Sequence, residues 1–70
     1  MGSKIEIILN GFEEKVYEGS SIAALIKQFN ETDPHLFVEL NGKFVYAQKY
    51  AETFVREHDR VEFINPDLGG

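Results

Sequence analysis

Hydrophobic and polar residues alternate in several short runs of this chain, and a period of two residues is typical of a β-strand with one buried face. The predicted strands are residues 4–9, 12–17, 36–40, 43–46 and 60–64. Asn-Gly pairs at residues 10–11 and 41–42 separate two pairs of these runs and favour tight hairpin turns. The side chains predicted to face inward are Ile5, Ile7, Leu9, Val16, Leu36, Val38, Leu40, Val61 and Phe63.

A helical spacing follows the second run. Ser20 and Ser21 offer a side-chain oxygen that can cap the start of a helix. The apolar residues after them recur at i, i+3, i+4 and i+7, at Ile22, Leu25, Ile26 and Phe29. This pattern predicts a short amphipathic helix over residues 22–30, which ends before Pro34. Residues 48–54 are predicted to form a turn or a single helical turn.

The order of these elements predicts an α+β fold. One amphipathic helix has one face to bury, and one mixed sheet of four to five strands can cover it. This is the arrangement of a β-grasp, or ubiquitin-like, roll, with the first and last strands side by side in the centre of the sheet. We therefore expect a β-grasp domain over residues 1–64 and a flexible C-terminal tail over residues 65–70.

Length, cysteine content and net charge exclude several classes of protein. Seventy residues allow one small domain, and the absence of cysteine excludes disulfides and thiolate metal sites. A formal charge of −5 disfavours nucleic acid and favours a basic protein partner, although acidity that serves only solubility is an equal alternative. No apolar run is long enough for a membrane span, and we expect a cytoplasmic protein.

Few side chains in the sequence suggest a catalytic or a metal site. Glu6, Glu13 and Glu14 fall on predicted strands, where neighbouring side chains face opposite ways, so a catalytic carboxylate pair is not indicated. His35 and His58 fall in predicted turns without a third ligand at a suitable spacing, so no metal site is predicted. The sequence thus predicts neither an enzyme nor a bound cofactor.

A surface for a protein partner is indicated instead. If the inward residues face the helix, then Ile8, Phe37 and Ile64 face the other side of the sheet, with Phe44 and Tyr46 near them. A contiguous apolar patch of this kind is typical of a partner-binding surface. The alternative is an error of one residue in strand phasing, which would exchange the two faces.

The chain ends in Leu68-Gly69-Gly70, beyond the last predicted strand. Taken alone, such an end is typical of a frayed terminus. Glycines, however, have no Cβ, so this tail can thread a narrow channel and place the Gly70 carboxylate there. A carboxylate needs activation, and adenylation by ATP would allow sulfur or an amine to displace AMP. Leu68 is the apolar anchor of this tail.

Four segments are informative when taken together: Ser20 to Ile26, Val38 to Gly42, His58 to Phe63 and Gly69-Gly70. They resemble the ThiS sulfur carriers of thiamine biosynthesis and, similarly, the MoaD carriers of molybdenum cofactor synthesis. The resemblance implies that a ThiF-like or MoeB-like enzyme adenylates Gly70. Conversion to a thiocarboxylate would follow, with sulfur delivered to a ThiG-like thiazole synthase or a MoaE-like synthase subunit.

The tail leaves the branch of this superfamily open. Pro66-Asp67-Leu68 is closer to MoaD-like tails, whereas the Asn41-Gly42 hairpin and the start of the last strand are closer to ThiS. Two other functions remain alternatives. One is a non-catalytic ubiquitin-like interaction domain, for which the tail is dispensable, and the other is protein conjugation, in which activated Gly70 would join a lysine.

Overall fold

A computed structural model describes residues 2–66 of the chain. The elements, in chain order, are β1 (Lys4–Leu9), β2 (Phe12–Tyr17), α1 (Ile22–Gln28), β3 (Phe37–Leu40), β4 (Lys43–Val45), a 3₁₀ helix (Ala47–Glu52) and β5 (Arg60–Ile64). The strands form one sheet in the order β2-β1-β5-β3-β4. β1 and β5 are parallel and the other neighbours antiparallel, so the sheet is mixed and has the predicted β-grasp order.

The hydrophobic core lies between α1 and one face of the sheet. Its buried members are Ile5, Ile7, Leu9, Val16, Ile22, Leu25, Val38, Val45, Val55, Val61 and Phe63. Alternation along β1 and β5 therefore predicted the inward face correctly. Leu36 and Leu40 were also predicted to face inward, and both are partly buried against this core.

The two Asn-Gly pairs form the predicted turns. Asn10 and Asn41 have φ angles of 51° and 52°, and the glycines after them have φ angles of 86° and 83°. Two consecutive positive φ angles are the requirement of the hairpin turn that matches the twist of the strands. Asparagine tolerates this region better than most residues, and glycine enters it without steric strain.

Helix α1 begins as predicted and ends earlier than predicted. The Ser21 hydroxyl accepts a hydrogen bond from the Ala24 N–H at 3.0 Å, which caps the first turn. The predicted end at Asn30 was wrong by two residues, because Asn30 has a φ angle of 57°. The N–H groups of Asn30 and Glu31 donate back to the carbonyls of Lys27 and Ile26, which closes the helix in a Schellman motif.

Residues 47–52 form the 3₁₀ helix, where a turn or single helical turn was predicted slightly later, over residues 48–54. Tyr50 on this helix packs against the core. The Tyr50 hydroxyl also donates a hydrogen bond of 3.4 Å to the carbonyl of Leu36, ahead of β3. Across residues 2–66, the helices are all too short or too polar to cross a lipid bilayer.

Side chains of the hairpin asparagines complete the backbone hydrogen bonding of β5. β1 pairs with β5 only as far as Val61, because the chain turns away at Asn10. The Asn10 side-chain oxygen then accepts the Phe63 N–H at 2.7 Å. On the other side, the Asn41 side-chain oxygen accepts the Arg60 N–H at 2.8 Å. Both bonds hold β5 in the centre of the sheet.

Replacement of Asn10 by glycine is expected to lower the free energy of unfolding by about 1–3 kcal/mol, because the partly buried Phe63 N–H loses its acceptor. Glycine keeps the positive φ angle, so turn strain does not contribute. Urea denaturation followed by circular dichroism measures the change. Asn10→Asp retains an acceptor oxygen and is the matched control. Equal losses in the two variants would contradict this role of the side chain.

Candidate functional site

The predicted tail site, Leu68, Gly69 and Gly70, lies outside the described residues, which end at Pro66. The structure does show where the tail starts. Asn65 and Pro66 follow β5 directly, at the end of the sheet where the polar α1–β3 loop also lies. The body around these two residues is therefore the described part of the candidate site.

Three of the predicted surface residues form a chain of aromatic contacts on the outer face of the sheet. Phe37 and Phe44 meet edge to face with ring centroids 5.7 Å apart, and Phe44 meets Tyr46 in the same way at 4.8 Å. Ile64 is the cross-strand partner of Phe37. We call these four residues the outer aromatic patch. The patch is exposed because Val38 and Val45 beside it face the core.

Ile8, the fifth predicted surface residue, lies away from the patch. It faces the outer side of β1, as predicted, but its parallel partner on β5 is Arg60, four residues before Ile64. A rise of about 3.3 Å per residue separates the two positions by roughly 13 Å along the strand. Ile8 is also only half-buried beside the antiparallel partner Glu13, so polar side chains surround it.

An open pocket of about 430 Å³ adjoins the patch at the root of the tail. We call it the tail-root pocket, and its lining residues are Pro34, His35, Leu36, Phe37, Phe44, Ala47, Tyr50 and Pro66. The patch and the pocket share two aromatic rings and so form a continuous apolar surface. Sequence patterns did not indicate Ala47 or Tyr50, because the 3₁₀ helix that positions them has no clear periodicity.

Charged residues border the patch on the outer face. Glu39 on β3 and Glu62 on β5 are direct cross-strand partners. Two like charges in this position repel each other and destabilise the sheet, unless solvent or nearby cations screen the repulsion. With a net charge of −5, this border suits a partner that presents basic side chains around an apolar centre.

The first residue of the tail is fixed to the α1–β3 loop. The Asn65 side-chain amide donates one hydrogen bond to Glu31 Oε1 at 3.2 Å and another to Asp33 Oδ2 at 3.1 Å. We call this arrangement the Asn65 bridge. The other Asp33 oxygen accepts the backbone N–H of His35 at 2.8 Å, just after Pro34. Both amide hydrogens of Asn65 therefore have carboxylate acceptors.

These bonds also affect the protonation of Asp33. The backbone N–H of His35 and then the Asn65 amide hold the pKa of the Asp33 carboxyl below its ordinary value of 3.8. A carboxylate with a lowered pKa in the folded state stabilises the fold above its ordinary pKa. This stabilisation is lost as the pH falls through the lowered value. The Asp33 carboxylate is therefore ionised at neutral pH and can accept the bonds from both His35 and Asn65.

The two histidines lie in exposed turns, as predicted. His58 has a φ angle of 71° and its Nδ1 lies 3.7 Å from a Glu57 carboxylate oxygen. The fold also brings Glu6 to this position, so that ligand atoms of the three residues lie within 4.8 Å of one another. Sequence spacing could not reveal this third group. Because His58 and Glu57 are exposed and Glu57 already accepts the Glu6 N–H, distance alone assigns no metal here.

Comparisons with known protein families and solved structures agree with this fold. A sequence model described as the ThiS family matches residues 2–70. Among solved structures, the crystal structure of thiamine biosynthesis protein ThiS from Geobacter metallireducens is similar, with a TM-score of 0.82 and 26% sequence identity. The similarity covers 94% of this chain and 99% of that one, and it confirms the predicted β-grasp fold. A comparison with curated protein sequences gives no match.

Proposed function

The chain belongs to the ThiS family, and from this premise we propose that it carries sulfur for thiazole formation in thiamine biosynthesis. The family match, which extends through Gly69 and Gly70, is the observation that carries the proposal. Similarity to a structure named as a thiamine biosynthesis protein supports this branch over molybdopterin synthesis. The sequence resemblance had left the two branches open, because the tail is closer to MoaD-like carriers and the Asn41-Gly42 hairpin is closer to ThiS.

The chemistry would take place on the Gly70 carboxylate. One carboxylate oxygen attacks the α-phosphorus of ATP, which forms an acyl adenylate and releases pyrophosphate. Hydrosulfide, or an equivalent sulfur donor, then attacks the carbonyl carbon. A C–S bond forms, and the bond between the carbonyl carbon and the oxygen that bridges to phosphorus breaks. AMP leaves with that oxygen. The product is a C-terminal thiocarboxylate, whose sulfur is a better nucleophile than a carboxylate oxygen.

The folded domain would supply recognition and no catalytic side chain. We assign docking to the outer aromatic patch and the tail-root pocket, because they adjoin the start of the tail. A partner seated on this surface would receive the chain at Pro66, with residues 67–70 left to enter its active site. At roughly 3.5 Å per extended residue, those four residues could reach about 14 Å beyond the body.

Two kinds of partner follow from this proposal. A ThiF-like adenylating enzyme, related to MoeB-like enzymes, would bind ATP and activate Gly70. A ThiG-like thiazole synthase would then accept the sulfur. The chain itself would hold no cofactor apart from the covalent sulfur. We place the reaction in the cytoplasm, where ATP is available for the adenylation.

Intact-mass spectrometry tests the carrier function. The purified chain is incubated with ATP, the adenylating enzyme of the same cell and a sulfur source. We expect a mass increase equal to the replacement of one oxygen by one sulfur. The chain without Gly70 is the control and should keep its mass, because glycine-specific threading would fail for an end that is one residue short.

Other outcomes would favour other functions. Higher-mass adducts on lysines of other proteins would indicate conjugation. Partner capture that survives removal of Gly69 and Gly70, without any thiocarboxylate on the full chain, would indicate a non-catalytic interaction domain. Either result would contradict the proposed carrier role.

A further inference from the structure

The Asn65 bridge links two parts of the chain that are far apart in sequence. Asn65 lies 34 residues from Glu31 and 32 residues from Asp33. Each bond joins a neutral amide hydrogen to a carboxylate, and hydrogen bonds to charged groups are stronger than neutral ones. Asn65, Glu31 and Asp33 are each partly buried, so water has reduced access to this contact.

Local structure places both acceptor residues near Asn65. The Schellman motif at the end of α1 fixes the backbone of Glu31, because the Glu31 N–H donates to the carbonyl of Ile26 at 2.9 Å. The hydrogen bond from the His35 N–H holds the Asp33 carboxylate itself. The Asp33 carboxylate is thus a preformed acceptor for Asn65, and the Glu31 side chain reaches Asn65 from a fixed backbone position.

Proline extends the effect of the bridge by one residue. Pro66 has a φ angle restricted to about −65°, and it also disfavours helical geometry at Asn65. When the Asn65 side chain is held, the position of the Pro66 ring follows with few remaining degrees of freedom. Pro66 lines the tail-root pocket beside Phe37 and Phe44. The chain thus leaves the body next to the proposed docking surface.

We propose that Asn65 is a positioning residue, which uses Glu31 and Asp33 to direct the start of the tail along the docking surface toward the adenylating enzyme. This inference rests on the proposed carrier function. Asn65 lies five positions before Gly70 in the sequence and supplies no reacting atom, so the bridge acts on the fraction of molecules that present the tail correctly. Loss of the bridge should therefore raise the KM for the carrier and leave kcat unchanged.

Asn65→Asp tests the bridge with little change in side-chain size. It removes both donors and places a third carboxylate beside two others. We expect the KM of the adenylating enzyme for the carrier to rise about three- to tenfold, in proportion to the loss of the correctly presented fraction. Asn65→Ala, which removes the donors without added charge, should raise KM in the same range.

A triple variant supplies the rescue. Asn65→Asp combined with Glu31→Gln and Asp33→Asn reverses each hydrogen bond, so that two amides donate to one carboxylate. The amide oxygen introduced at position 33 can still accept the His35 N–H. We expect KM to return to within about twofold of the wild-type value. Gln28→Glu adds one negative charge on an exposed position outside the bridge and should leave KM unchanged.

Two further measurements separate positioning from folding. Thermal unfolding of each variant shows whether the domain is intact, and ¹⁵N relaxation at Asn65 reports whether its backbone keeps the order of β5. Equal KM values for wild type, Asn65→Asp and Asn65→Ala, with a normal thiocarboxylate yield, would overturn the inference. A rise in KM that the triple variant does not reverse would also overturn it. If the wild-type chain forms no thiocarboxylate, the carrier function itself fails and the inference falls with it.

Discussion

Replacement of Leu25 by alanine is expected to lower the free energy of unfolding by about 2–5 kcal/mol. Leu25 is fully buried in the centre of the face that α1 presents to the sheet. Alanine removes most of these apolar contacts and leaves a cavity that a small core cannot readily fill. A domain of this size has a total stability of about 4–10 kcal/mol, so a substantial fraction of the variant should be unfolded at 37 °C.

Urea denaturation followed by circular dichroism at 222 nm measures this loss. Lys27→Ala is the matched control on the same helix, because Lys27 is exposed and alanine has a high helix propensity. Its stability should change by less than about 0.5 kcal/mol. A loss below about 1 kcal/mol in Leu25→Ala would contradict the packing of α1 described above.

Under the proposed function, replacement of Phe44 by glutamate is expected to lower kcat/KM of the adenylating enzyme for this chain by about ten- to a hundredfold. Phe44 is half-exposed and contacts both Phe37 and Tyr46, so it lies in the centre of the outer aromatic patch. Large aromatic side chains at the centre of an interface often contribute most of its binding energy. Glutamate removes the ring and adds a negative charge directly opposite Glu39, the cross-strand partner of this position.

Phe12→Glu is the matched control for that experiment. Phe12 is 71% exposed and lies on β2, at the opposite edge of the sheet from β4. The same exchange of residue types there should leave kcat/KM within about twofold of wild type, since exposed rim positions contribute little. Equal losses in the two variants would mean that added charge, and not the patch, governs recognition.

The sequence allowed the faces of the strands to be predicted because a period of two is independent of neighbouring strands. Val61 and Phe63 are buried, and Phe37 and Ile64 are exposed, as the alternation indicated. The register between strands is a different quantity. It depends on the parallel offset of β1 against β5, which no local pattern encodes. Ile8 was therefore placed on the correct face of the sheet, but it was grouped with residues near Ile64, whereas its partner on β5 is Arg60.

The root of the tail shows the same division between local and long-range information. The residue Pro66 predicted an extended exit from β5, since proline restricts the residue before it. The hydrogen bonds of Asn65 could not be predicted, because Glu31 and Asp33 reach it only after the whole domain has folded. Tyr50 in the tail-root pocket was missed for a related reason, as a 3₁₀ helix of six residues carries no amphipathic period.

The central position of β5 has a consequence for synthesis on the ribosome. The hairpins β1–β2 and β3–β4 lie on opposite sides of β5, which is the last strand to be translated. Until Ile64 has left the exit tunnel, neither hairpin has its central neighbour and the sheet cannot close. Domains of this kind fold as a unit. A nascent chain whose β5 is still in the tunnel therefore has no complete sheet, and the outer aromatic patch, which includes Ile64, is not assembled on it.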